Sequence, residues 1–382
     1  MIGKKSWYCI AVVAAALVAL GGCESAGNGG NSGDGGAGGS ADGDFGALSY
    51  VDQYDSNLGQ PRQVAISPDG AHAYVTQYDS NAVAWFSRNA SSGALSFLDR
   101  YTSAANIDGA YGIAVSSDGD HVYVAASDDD AIAWFDRNTT TGTLTYAGRY
   151  ASAENIDVAQ GIAVAPNGEH VYVAAAGSGG VAWFDRDTDD GAASYGELSY
   201  EGKYENTNIS GARSVSVAPD GDHVYVAAEG SDAVAWFDRD PTTGALTYID
   251  RFTGTAVQGA ERLAMAPGGE DLYLASSAGL AWFNRDDTSG ALTHGNTYGD
   301  ISFGIVSGIA VSPDGKTVYA PEGTSDSLAW LYRDTTSGAL TVGGRYENAA
   351  LDRHIMVTVS PDDEHVYLIV QQSGAVVWFD RN

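Results

Sequence analysis

The stretch "AVAWFDRDPTTGALTY", Ala233–Tyr248, stands five times over in this chain, as "AVAWFSRNASSGALSF", "AIAWFDRNTTTGTLTY", "GLAWFNRDDTSGALTH" and "SLAWLYRDTTSGALTV" besides itself. Aligning its Gly-x-Leu places unit starts at Gly46, Gly93, Gly142, Gly196, Gly244, Gly290 and Gly338. Each unit carries a "VA[VI][SA]PDG"-like run, a "HVYVAA"-like run and an "AVAWFDR"-like run. Four short strand signals in a repeat of about 48 residues are the arithmetic of a β-propeller blade, not of a helical solenoid. No long helical pattern follows the N-terminal apolar segment.

The residues explain the strands. "VAISPDGAHAYV" is two β-rich runs joined by Pro-Asp-Gly, in which Pro fixes φ and Gly accepts a positive one. "AVAWF" is apolar at successive positions, as a strand covered on both faces must be. Trp85, Trp134, Trp183, Trp236, Trp282, Trp330 and Trp378 recur at one place in the unit, and large rings beside small alanines suit wedge-shaped packing between blades. The chain opens with a lone "GALSYVDQY" strand and stops at "AVVWFDRN" without the next one. The first strand is therefore expected to complete the last blade and hide two open edges. The reading is all-β: a seven-bladed propeller of four-stranded antiparallel blades over residues 46–382, closed by its N-terminal strand. The recurring phrase is scaffold.

The combination "GIAVSPDGKTVYA" (Gly308–Ala320) and "DHVYVAAEGSDAVAWFDRDPTTGALTY" (Asp222–Tyr248) resembles the seven-bladed lactonase-like propellers, the group that contains 6-phosphogluconolactonase-type enzymes, and also YVTN-type surface repeats. The resemblance spans Gly46–Asn382. Its motifs are strand-forming positions, so they speak for the fold more than for an activity.

Ahead of the repeats, residues 1–22 have a basic start at Lys4 and Lys5 and an apolar run from Trp7 to Leu20, the pattern of a secretory leader. "LGGC", Leu20–Cys23, resembles the bacterial lipoprotein box, which implies lipid on Cys23 and cleavage before it. Residues 23–45 then read as the lipidated cysteine and a Gly/Ser/Asp-rich tether. The expected location is the cell envelope, at the outer membrane or cell surface, with membrane contact through the lipid alone. Cys9 leaves with the leader, so the mature chain has no disulfide and no cysteine metal site. A formal net charge of -30 argues against nucleic acid or an anionic membrane as a partner. A monomer is expected.

Function belongs where the repeats disagree. Two residues before the first apolar position of each blade stand Arg62, Tyr111, Gln160, Arg213, Glu261, Ser307 and Ile355, with Arg262, Arg353 and His354 beside them. In a propeller this segment surrounds the mouth of the central channel. Guanidinium groups grip carboxylate or phosphate bidentately, so Arg62, Tyr111, Gln160, Arg213, Arg262 and Arg353 are expected to bind a small anionic ligand. The alternative is that the arginines pair with Glu261 and its neighbours across the channel.

Lactonase-like relatives carry a Pro-His before a first strand, with Arg and Glu around the channel. Here that place reads Pro61-Arg62. His354 is the one histidine near the mouth, and with Glu261 it forms the candidate catalytic pair. His72, His121, His170, His223 and His365 share a repeat position before the second strand, and His294 falls on an outer strand; all six read as structural. Asp185, Asp187, Asp189 and Glu197 approach a calcium loop whose glycine and glutamate each fall one position late, and calcium is the one cofactor this leaves open. No zinc-hydrolase helix, nucleophile elbow or phosphate loop is present. The expected function is a lipid-anchored propeller binding a small anionic ligand or an envelope protein without catalysis. A lactonase-like hydrolase of a sugar lactone is the alternative.

Overall fold

The computed structural model describes residues 46–56, 58–298, 306–323, 326–351 and 354–382. The leader, Cys23, the tether and Arg353 lie outside them. Seven four-stranded antiparallel sheets are present, and six of them run from innermost to outermost strand in chain order. Blade 1, for example, is Pro61–Ile66, His72–Gln77, Ala82–Arg88 and Leu95–Thr102. The seventh takes three strands from the C-terminus, His354–Val359, His365–Val370 and Ala375–Arg381, and its outermost strand, Leu48–Tyr54, from the start of the fold. That last pairing runs from Leu48↔Arg381 to Tyr54↔Val376, as the complementary chain ends require. Innermost strands pack on one another around the ring, including Pro61–Ile66 on His354–Val359 where it closes.

Burial follows the sequence pattern. Every second strand is buried at all its positions, because each blade is covered on both faces by its neighbours. The Ser-Pro-Asp-Gly turn between the first two strands is a closed hydrogen-bond unit. In blade 1 the Ser67 hydroxyl donates to Asp69 and accepts from His72 N–H at 3.0 Å, while Asp69 accepts from Ala71 N–H at 2.9 Å.

The recurring Arg, Tyr, His and Gly turn out to be one inter-blade joint. Arg137, ending the third strand of blade 2, donates Nε to the Tyr74 hydroxyl of blade 1 at 2.6 Å. Its Nη1 donates to Gly119 C=O at 2.7 Å, and its Nη2 to Asp69 at 2.8 Å and to His72 Nδ1 at 3.0 Å. Tyr74 donates onward to Gly142 C=O at 3.0 Å. Arg88, Arg186, Arg239, Arg285, Arg333 and Arg381 repeat the bond to a neighbouring blade's tyrosine. Arg88 does so across the closing seam, reaching Tyr367, His365 and Asp362 of blade 7. A guanidinium only donates, so the histidine Nδ1 must accept and the proton sits on Nε2. The five repeated histidines are thus structural; His294 stacks on Phe252 in its outer strand.

The Gly-x-Leu glycine is fixed by the same joint. Gly142 has φ +72, and a Cβ there would lie 2.2 Å from Cδ2 of His72, which Arg137 holds in place. Gly142→Ala is expected to cost about 2–4 kcal/mol, combining left-handed backbone strain with a displaced buried ring. Urea unfolding should show a lower midpoint at unchanged slope; an unchanged midpoint would refute the joint.

Candidate functional site

Six of the seven innermost strands open with a β-bulge. Pairing jumps from Pro61 to Val64, Ala110 to Ile113, Ala159 to Gly161, Ala212 to Ser214, Ala260 to Arg262 and His354 to Met356. The skipped residues include Arg62, Tyr111, Gln160, Arg213, Glu261 and Ile355. A bulge frees a side chain from the sheet's alternation and re-aims it. This is why the repeats diverge here without disturbing the blade. Blade 6 differs: its innermost strand is only Ala310–Val311, and Ser307 precedes it.

Tyr111 is the centre of what these bulges assemble. The Arg62 guanidinium of blade 1 lies 5.1 Å from its ring centroid and that of Arg262, from blade 5, lies 5.5 Å away. Arg262 Nη2 also donates to the Tyr111 hydroxyl at 3.3 Å, while its Nη1 donates to the carbonyls of Arg213 and Glu261. Side chains of blades 2 and 5 therefore meet across the channel. Arg62 stacks in addition over Tyr78, at 4.5 Å, and Tyr78 is held by its hydroxyl on Asp128 at 2.8 Å.

The three arginines are not equivalent. Arg213 is engaged by Glu229 through both Nε and Nη2, and donates Nη1 to Gln160 at 3.2 Å. Arg262 is spent on two carbonyls and the phenol. Arg62 is held by two rings, and among the described residues its buried Nε has no hydrogen-bond partner. It opens on a cavity of about 460 Å³ whose other walls are Gln60, Gln371 and Gln372.

Two titrating groups in this cluster are displaced in opposite directions. Burial raises the Glu261 carboxyl above its usual range, Arg262 and Arg213 draw it back, and Glu229 adds to the rise. Burial also pushes the Tyr111 phenol upward. There the charges of Arg262 and Arg62, the Arg262 hydrogen bond and the charge of Arg213 outweigh it, so the phenol is lowered.

The structure thus brings together Arg62, Tyr111, Gln160, Arg213, Glu261 and Arg262. Arg353 lies outside the described residues; His354 opens the innermost strand of blade 7 by its backbone. Arg213 does take a carboxylate, but it is Glu229 of its own blade 4 and not Glu261; what crosses the mouth is the Arg262–Tyr111 bond. Glu229 and Tyr78 escaped the sequence reading. Both directly follow a second strand, at a place where the repeats also disagree (Tyr78, Ser127, Ala176, Glu229, Ser277, Gln371), so the same logic applied twice would have found them.

The acidic loop of blade 3 does not assemble as a calcium site. Asp187 accepts from Asp189 N–H and the Ser194 hydroxyl, Asp189 accepts from Gly191 N–H, and Asp185 faces His170 at 3.2 Å. Among the described residues no group of three His, Cys, Asp or Glu side chains able to hold a metal forms. These carboxylates close a turn, as the equivalent Asp240 does with Thr242 N–H.

Comparison with known proteins bears on the whole fold. Among curated proteins none matches the chain. A candidate 6-phosphogluconolactonase from Bacteroides fragilis is similar in structure, with a TM-score of 0.67 at 18% identity over 80% of this chain and 86% of that one. The periplasmic gluconolactonase of Pseudomonas aeruginosa gives 0.64 at 18%, over 75% and 85%. The hydrazine synthase of Kuenenia stuttgartiensis gives 0.65 at 17%, over 86% and 97%. At these identities the likeness is one of fold. The profile of the family "Lactonase, 7-bladed beta-propeller" matches residues 40–109, 102–201, 158–261, 193–304 and 304–382, together nearly all of the blades. With seven blades, a closing N-terminal strand and that match along its length, the chain belongs to the seven-bladed lactonase β-propeller family.

Proposed function

We propose that the channel mouth binds a small sugar acid lactone and hydrolyses it. One observation carries this reading: the convergence of Arg62, Arg213 and Arg262 on Tyr111 and Glu261 at the bulged ends of the innermost strands. Unpaired Arg62, with the amides of Gln60, Gln371 and Gln372, suits an anionic substituent on a hydroxyl-rich ligand. Arg213 and Arg262 supply positive charge where a lactone carbonyl oxygen becomes an oxyanion. Glu261, protonated more readily than an ordinary glutamate, suits the donation of a proton to the departing ring oxygen. With the lipoprotein leader read from the sequence, the reaction would take place in the cell envelope.

Membership in the lactonase family weighs this reading above binding without catalysis. The second reading keeps one support: Pro61-Arg62 stands where relatives carry Pro-His, leaving His354 as the sole histidine of the mouth.

Glucono-δ-lactone and 6-phosphoglucono-δ-lactone in a pH-stat, with calorimetric titration of the corresponding acids, test both. Arg62→Ala is expected to lower kcat/KM and acid binding by about 10²-fold, the loss of one charge-assisted grip. Glu261→Gln is expected to lower kcat by about 10²-fold with binding retained. Binding of the acids with no turnover of either lactone would establish the non-catalytic reading; neither binding nor turnover would defeat both.

A further inference from the structure

Lactone hydrolysis needs a group that takes a proton from water, and the sequence offered His354. We propose instead that Tyr111, clamped between Arg62 and Arg262 with its oxygen on the Arg262 guanidinium, is the base that deprotonates the attacking water. This rests on the hydrolytic reading above and names the residue that performs its first step.

The geometry is that of an anion site with a phenol inside it. Tyr111 is reached from blade 1 by Arg62 and from blade 5 by Arg262. Arg213 of blade 4 adds its charge from beyond Gln160. Tyr78, the other ring facing it, meets it edge-on at 6.5 Å and 86° and points its own hydroxyl away, to Asp128. The hydrogen bond at the Tyr111 oxygen is thus received from a cation, which favours the phenolate. Its backbone is fixed as well, since the Thr76 hydroxyl donates to Tyr111 C=O at 2.6 Å. The contrast with the joint tyrosines is instructive. Tyr74, Tyr172, Tyr225 and Tyr367 each touch one arginine in a sealed interface and are pushed up to about 12. Tyr111 has three arginines and goes the other way.

Glu261 completes the proton balance. A phenol lowered and a carboxyl raised in one field is the arrangement that sorts base from acid. Tyr111 oxygen takes a proton from water as the water oxygen bonds to the lactone carbonyl carbon. The tetrahedral intermediate collapses with cleavage of the ring carbon–oxygen bond, and the Glu261 carboxyl protonates the departing oxygen. The product is the open hydroxy acid; transfer of the proton from Tyr111 to Glu261 restores the site.

The phenolate can be seen without substrate. Absorbance near 295 nm, followed from pH 6 to 11, is expected to show one tyrosine ionising ahead of the others in the wild type and not in Tyr111→Phe. The same variant is expected to lose about 10²-fold or more in kcat, with KM little changed and the bell-shaped pH–rate profile of a paired base and acid lost. Melting temperatures of the two proteins check that the fold survives. A wild-type titration without an early step overturns the proposal, as does a Tyr111→Phe enzyme with unchanged kcat and profile; in either case wild-type turnover leaves the hydrolytic reading standing. Absence of wild-type turnover defeats the hydrolytic reading and Tyr111's part in it together.

Discussion

A chain lacking residues 46–54 is expected to melt about 10 °C or more below the full-length protein and to aggregate, whereas a chain lacking residues 24–44 should melt where the parent does. Strand Leu48–Tyr54 ties three blades. It pairs along its length with Ala375–Arg381 in blade 7. Tyr50 stacks on Tyr346 of blade 6 at 6.0 Å and meets Phe379 edge-on. Tyr54 packs edge-on against Phe86 of blade 1 at 5.0 Å. Gly46 C=O receives the Tyr319 hydroxyl at 3.0 Å, the blade 6 member of the joint series.

Removing the strand exposes one face of Phe86 and Phe379 and leaves the Ala375–Arg381 edge unpaired. The apolar loss is about 1.5–3 kcal/mol for buried Leu48 and a fraction of that for each of exposed Tyr50 and half-buried Tyr54. Hydrogen bonds add about 1 kcal/mol each. Against a total stability of about 5–15 kcal/mol this is a large fraction, and roughly 2 °C per kcal/mol sets the scale of the melting shift. An unpaired edge also templates association, so light scattering should rise with the transition. Calorimetric scans of the two deletions that coincide would refute closure by this strand.

The blades were legible because a propeller writes each structural demand seven times. One tryptophan proves nothing, but seven at one register position identify a packing layer. The chain's ends showed the closure for the same reason, since a missing final strand and a spare first one complement each other. The histidines before the second strands could be assigned to structure by recurrence alone, although their partners could not. The Arg137–Tyr74–His72–Asp69 joint links residues more than sixty positions apart, and only the ring brings them together.

The site was legible as a place and not as a set of contacts. Divergence at Arg62, Tyr111, Gln160, Arg213 and Glu261 marked the mouth, because bulge residues are released from the blade's packing rules. Which arginine stays unpaired was hidden. Arg213 is engaged by Glu229 sixteen residues on, a pairing that depends on both side chains leaving adjacent strand ends of blade 4. Arg62 has no such carboxylate, since Tyr78 stands at the equivalent place in blade 1. The aspartates of residues 185–189 misled in the opposite sense: alternate carboxylates serve a turn as readily as a cation, and only the direction of each side chain tells them apart.

Acidification is expected to weaken the fold in two stages, and the first should be carried by histidines. His72, His121, His170, His223 and His365 are lowered from the ordinary imidazole value. Burial is the largest cause and the adjoining arginine the next, with carboxylates pulling partly back. In the folded chain these rings resist protonation, while in the unfolded chain they take a proton near pH 6.5. Below that value the unfolded state binds more protons than the native one, so stability falls as pH falls until the folded values are reached. Each ring contributes at most about 1.4 kcal/mol per pH unit in that window.

The second stage belongs to Asp69, Asp118 and Asp362. Burial opposes their charge, yet hydrogen bonds from serine, arginine and backbone N–H hold all three at about 2. Their contribution is intact above the usual carboxylate value and disappears only as pH falls toward 2. Relief of negative charge acts the other way between the two stages, as the chain approaches its pI of about 4.2, so a variant is needed to isolate the histidines. Blade 5 supplies the design: Asp271 stands at the histidine position and pairs with Arg333. Replacing His72, His170 and His223 with Asp is therefore expected to preserve the joints and flatten the melting temperature between pH 7 and pH 5, where the wild type should lose several degrees. If wild type and triple variant lose stability in parallel over that range, the histidines are not its source and the joint is indifferent to their protonation.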